Sequence, residues 1–142
     1  MELEEQVKRP KLVWAITIFY VISVPFTLLS VLSVSTGQVP LSPAMQAYFD
    51  SLSAFDYSLT TLTGVLNVAG TISLFRLRKS AVWLFTINVG LGTSYSLWHT
   101  LTTNWMEVMA EPGALGGAFV GWAIGLGIVF YAWRLKLKGV LT

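Results

Sequence analysis

The chain has 142 residues, 54% of them hydrophobic and 11% charged, with a mean hydropathy of +0.67 and a formal net charge of +2. A soluble domain carries about 25% charged residues, so this composition specifies an integral membrane protein with no length left for a separate soluble domain. The absence of cysteine excludes disulfide exchange, thiolate catalysis and Cys-ligated metals.

Residues 1–10 mix Glu2, Glu4 and Glu5 with Lys8 and Arg9, which fits either one helical turn at a membrane surface or a loose tail. Four apolar runs follow, at about 12–34, 54–75, 80–103 and 114–133, each near the ~20 residues that cross a ~30 Å hydrocarbon core. The expected fold is all-α: a polytopic membrane protein in which residues 1–142 form a single transmembrane domain, a four-transmembrane-helix bundle.

The first run exceeds the ~7–15-residue core of a signal peptide and lacks an A-x-A-like cleavage site, so it is expected to remain as a span. Pro25 removes one intrahelical hydrogen bond and is expected to kink it near mid-depth. Around the proline, Tyr20, Ser23, Thr27 and Ser30 recur at helical spacing. Hydroxyls in lipid commonly bond back to their own helix, and that reading is preferred for this stripe.

Thr36-Gly37-Gln38, Pro40 and Pro43 mark irregular chain, after which Ser42 is placed to cap a helix with Pro43 at its first position. Ala44, Met45, Tyr48, Phe49 and Leu52 share one face, opposite Gln46, Asp50 and Ser51. A short outer amphipathic helix over about 43–53 fits this pattern, either as an interfacial anchor or as a lid over the bundle.

The second and third runs hinge at Arg76-Leu77-Arg78-Lys79. A charged turn makes the two helices antiparallel neighbours, so residues equally far from it lie at equal depth. On this basis Asn67 faces Asn88 and Asp56 faces His99. Asp56 to Asn67 and Asn88 to His99 are each three helical turns at about 3.6 residues per turn, so each helix carries both members of its set on one face. Asp56, Thr60, Thr63, Asn67 and Thr71 form one polar stripe, and Asn88, Gly92, Tyr95, His99 and Thr102 form the other. The concentration of polar residues away from the hinge points to a cavity open outward and closed inward.

Before the fourth run, Glu107 and Glu111 stand one helical turn apart. Such a pair can share a hydrated divalent cation, but surface glutamates at this spacing are usually only solvated. Gly113, Gly117, Gly121 and Gly125 then make three overlapping GxxxG units. Small residues at every fourth position let another backbone approach closely, within the chain or against a second copy.

All nine basic residues, Lys8, Arg9, Lys11, Arg76, Arg78, Lys79, Arg134, Lys136 and Lys138, fall on one side of a four-crossing topology. The positive-inside rule makes that side cytoplasmic, N-in/C-in. The opposite loops carry Asp50, Glu107 and Glu111, with Asp56 at their margin. The pI of about 9.0 is thus a topogenic signal. No basic amphipathic face or stacking motif accompanies it, so the expected contacts are membrane lipids, with no nucleic acid. Size and the lack of cysteine favour a bacterial inner membrane.

Intramembrane ionisable residues are functional candidates by default. Asp56 and His99 qualify, as a proton relay, a pH sensor, or a cap and an interfacial histidine. One histidine cannot build a multi-His metal site, and Ser96 near His99 lacks a G-x-S-x-G elbow, so no enzyme, metal or cofactor is expected. The leading expectation is a structural or accessory subunit assembling, as a homo-oligomer or with a membrane partner, through the helix-packing glycines Gly113, Gly117, Gly121 and Gly125. The other is a binding, sensing or transport protein with an outward-opening pocket in spans one to three. Asp56, Thr63, Asn67, Asn88, Tyr95 and His99 would there contact a small polar or amphipathic ligand.

Overall fold

The computed structural model describes residues 9–102, 109–110 and 114–142, and every regular element among them is a helix. In chain order these are α1 (Lys11–Ser35), α2 (Pro43–Ser51), α3 (Ala54–Phe75), α4 (Ser80–Thr102) and α5 (Ala114–Leu137). Lys11–Val34, Ala54–Phe75 and Leu115–Leu137 are long and apolar enough to cross a membrane. α4 has 23 residues but falls outside that set. It holds no Asp, Glu, Lys or Arg, yet its second half gathers Thr93, Ser94, Tyr95, Ser96, His99 and Thr100. Glu107, Glu111 and Gly113 lie outside the described residues.

Helix starts follow local chemistry. Ser42 Oγ accepts from Met45 N at 3.3 Å, with Pro43 entering the first turn of α2. α2 ends at Ser51, two residues before the expected boundary, because Leu52 and Ser53 turn extended. That lets Ser53 cap α3 in a capping box with Asp56. α1 runs unbroken through Pro25, and Thr27 and Ser30 bond back to the Ser23 and Phe26 carbonyls.

The α3–α4 hairpin is the centre of the fold, with α1 against α3 and α5 against α4; α1 and α5 make no extended contact with each other. The buried apolar core sits toward the hinge end. It joins Val13 and Ile16 of α1, Leu74 of α3, Ala81, Val82 and Phe85 of α4, and Ile128, Ala132 and Leu135 of α5. Phe85 stacks on Tyr20 at 6.1 Å and lies so close to Gly70 that a Cβ there would stand 2.9 Å from the ring. Val21, Ile22, Phe26 and Leu29 of α1 are more than half exposed, the surface that a hydrocarbon solvent requires.

The hinge itself is a Schellman turn: Arg78 N donates to Ser73 O and Leu77 N to Leu74 O. Leu77 occupies the left-handed position of that turn, φ 55°, where glycine is usual and a side chain costs roughly 1–2 kcal/mol. α5 closes with the same motif but has Gly139 at that position, φ 71°. The chain then buries Leu141 in the core and joins the hinge through Thr142 N to Leu77 O, 2.7 Å, and Lys79 N to Thr142 O, 3.0 Å. This second attachment holds Leu77 in its strained conformation.

Basic side chains collect at the same end. Arg9 Nε donates to Phe75 O at 3.1 Å, neutralising the carbonyl end of α3, with its guanidinium 4.4 Å from the Phe75 ring centre. Lys136 lies 4.6 Å from the Trp133 ring centre and 5.0 Å from that of Trp83. Trp133 Nε1 donates to Thr86 Oγ1 at 3.2 Å.

Candidate functional site

Two polar layers bind α3 to α4. At the end far from the hinge, His99 Nε2 stands 3.1 Å from Asp56 Oδ1, so the Nε2–H tautomer donates to the carboxylate. Asp56 Oδ2 accepts from Ser53 N and Ser53 Oγ, each at 2.6 Å. One carboxylate therefore caps its own helix and reaches across to the next. His99 is 3% exposed and Asp56 7%, which places both beyond easy reach of a substrate.

Aromatic rings seal this layer. The Tyr95 ring lies 4.3 Å from the His99 ring, and Tyr48 approaches from α2 at 5.8 Å. The Tyr95 hydroxyl reaches both the Asp56 carboxylate and Tyr48. Burial raises the Tyr48 phenol above its ordinary pKa, and the nearby Asp56 charge adds to the effect. α2 is thus fastened over the ends of α3 and α4 that lie far from the hinge.

Three turns nearer the hinge, Asn88 Nδ2 donates to Asn67 Oδ1 at 2.8 Å. Asn88 Oδ1 is buried and has no hydrogen-bond partner among the described residues. An orphaned carbonyl of this kind costs about 1–3 kcal/mol. Thr63 and Thr71 do not join the seam; their hydroxyls bond back to the Thr60 and Asn67 carbonyls at 2.8 Å.

Both asparagines border a cavity of about 320 Å³ formed where α1 and α5 stand apart over the hairpin. Phe19 and Tyr20 of α1 and Trp122 of α5 form its aromatic walls, and Gly92, Thr93, Ser96, Gly121 and Gly125 complete it with Val89 and Ile124. A second cavity, about 620 Å³, lies between the end of α1, the connection to α2, and Tyr57, with Gln46 and Asp50 in its lining. An apolar hollow of about 560 Å³ runs along α5 between Met109, Leu115, Phe119, Trp122 and Leu126.

Asp56, His99 and Tyr95 come together but do not line the 320 Å³ cavity, whereas Asn67 and Asn88 do. A Cβ at Gly117 or Gly121 would meet nothing within 4 Å, and at Gly125 it would touch Val89 Cγ2 at 3.6 Å. Among the described residues, no other helix closes on the glycine face at positions 117 and 121. Comparison of the chain with family models, with curated proteins and with solved structures gives no match.

Sequence reasoning passed over Ser53, Tyr48 as a partner of His99, Gly70 and Trp122. Ser53-Ala54-Phe55-Asp56 has the form of a capping box and was readable. The close contact at Gly70 and the aromatic wall at Trp122 carry no local signal, since both depend on which helices become neighbours.

Proposed function

We propose that the chain is a non-enzymatic integral membrane protein that crosses the bilayer four times and binds a small amphipathic ligand in the groove between α1 and α5. One observation carries this reading: the cavity of about 320 Å³ has aromatic walls and a floor containing the Asn67–Asn88 pair, one of whose carbonyls lacks a donor. Small-molecule sites are concave, mainly apolar, and furnished with a few polar groups that fix orientation. The sole histidine is closed in by Asp56 and Tyr95, which speaks for architecture there over catalysis.

In this reading α4 is the fourth span. It lies between α3 and α5, where His99 is buried and Asn88, Thr93 and Tyr95 are partly buried, and intramembrane polarity is tolerated there. The exposed Thr100 and Thr102 hydroxyls bond back to the Ser96 and Trp98 carbonyls. Arg9, Lys11, Arg76, Arg78, Lys79, Arg134, Lys136 and Lys138 collect at one end, and the positive-inside rule makes that end cytoplasmic, N-in/C-in, in a membrane of the bacterial inner type. Native mass spectrometry of the protein extracted from membranes tests the groove. Wild type should carry a small molecule that Gly121→Leu, which fills the groove, has lost. Equal retention by the two would refute it.

A second reading, an accessory subunit assembling through α5, is favoured by the open backbone at Gly117 and the neighbouring apolar hollow. Gly117→Leu should then change oligomeric state or partner recovery, and an unchanged assembly would sink it.

A further inference from the structure

We infer that the groove's ligand is a neutral, ring-bodied alcohol or phenol whose hydroxyl donates to Asn88 Oδ1; the inference rests on the groove reading above. Size excludes the obvious competitor. A water's share of liquid volume is ~30 Å³, so a cavity of about 320 Å³ has room for one or two rings. A spanning helix, ~10 Å wide and ~30 Å long, is several times too large.

Charge narrows the class. Among the described residues, no Asp, Glu, Lys, Arg or His lines the cavity, and an unpaired charge inside a bilayer is strongly disfavoured. The ligand is therefore neutral. Phe19, Tyr20 and Trp122 offer ring faces and edges, which favour an aromatic or other flat body.

Polarity supplies the remaining element. Asn88 Nδ2 is committed to Asn67 Oδ1 at 2.8 Å, which leaves Asn88 Oδ1 as the orphan. A free carbonyl oxygen takes a donor, and a hydroxyl is the donor available to a neutral lipid-soluble molecule. Asn88 Oδ1 is itself buried, but the terminal amide torsion of asparagine is soft, so a small turn of the whole amide that keeps Nδ2 on Asn67 Oδ1 presents Oδ1 to the cavity that its residue already lines. Reversing both amides would orphan a nitrogen and call for an acceptor instead, and the choice of probes separates the two arrangements.

The test is a ¹⁹F NMR titration of the full chain in phosphatidylcholine nanodiscs with three probes: 4′-fluoro-4-hydroxybiphenyl, its methyl ether, and 4-fluorobiphenyl. The expected result is saturable binding of the phenol, about ten-fold tighter than either of the others, with that advantage abolished in Asn88→Leu. The wild-type comparison of phenol with ether stands even if the variant fails to fold. An ether that binds as well as the phenol or better overturns the donor assignment. Equal binding of all three, lost in Gly121→Leu, overturns the ligand class and leaves the groove. Absence of saturable binding by any probe overturns both.

Discussion

His99 Nε2 and Asp56 Oδ1 meet at 3.1 Å from two different helices, 43 residues apart, while Asp56 Oδ2 holds the first turn of its own helix through Ser53. The carboxylate thus fixes where α3 begins and where α4 stands beside it. Removing one member of a buried pair leaves the other uncompensated, at a cost of roughly 3–5 kcal/mol, whereas replacing both with apolar groups is often close to neutral. Asp56→Ala should be the more damaging single change, since it also removes the cap. A double-mutant cycle of Asp56→Leu and His99→Leu, followed by unfolding in mixed micelles, should show the double variant losing less stability than the two single losses added together. Additive losses would mean that the two side chains do not depend on each other.

Gly70 is set by Phe85. A methyl group there would stand 2.9 Å from a ring that is 2% exposed and stacked on Tyr20. Gly70→Ala should lower stability by about 1–3 kcal/mol through overpacking, and adding Phe85→Leu should recover part of the loss. Thermal unfolding of the two variants in detergent measures this, and a harmless Gly70→Ala would show that Phe85 has room to move.

Leu141 and Leu137 are close in sequence but opposite in environment, 1% and 82% exposed. Leu141→Ala should cost about 2–5 kcal/mol and Leu137→Ala very little. Leu141→Ala should also loosen the hinge, because Thr142 then no longer holds Leu77 and Lys79. Faster hydrogen exchange at Leu77 to Lys79 is the expected sign, and protection equal to wild type would contradict it.

The absence of native cysteine makes topology directly measurable. Single cysteines at Arg78 and Lys138 should react with a membrane-impermeant maleimide only from the cytoplasmic side, and one at Asp50 only from the other. Labelling of the Arg78 and Asp50 positions from the same side would remove α3 from the set of spans, and labelling of Arg78 and Lys138 from opposite sides would remove α4 or α5.

The hairpin was the most legible part of the sequence. A charged turn and two polar pairs at equal distance from it bring Asn67 to Asn88 and Asp56 to His99, and both contacts form. Helical pitch and an antiparallel turn are local rules, so counting residues was enough. The short helix before α3 was readable for the same reason, through Ser42 and Pro43. What counting could not supply was which helix stands beside which. The expectation of a pocket in spans one to three had no means of knowing that α5 would border the cavity with Trp122, Gly121 and Gly125. Nor could it know that the Asp56–His99 layer would be sealed by Tyr48 and Tyr95 instead of opening into a pocket. The strained Leu77 was hidden too, since a leucine in a glycine's place is held by a contact with Thr142, far along the chain.

The groove between α1 and α5 is the centre of this account, and a crystal structure of the full chain grown from a lipidic mesophase tests it most directly. α1 and α5 should stand apart, with non-protein density between Tyr20 and Trp122 and a donor atom within about 3 Å of Asn88 Oδ1. A groove closed by α1 packing on α5, with Tyr20 and Trp122 filling it and Asn88 Oδ1 bonded within the chain, would contradict the account.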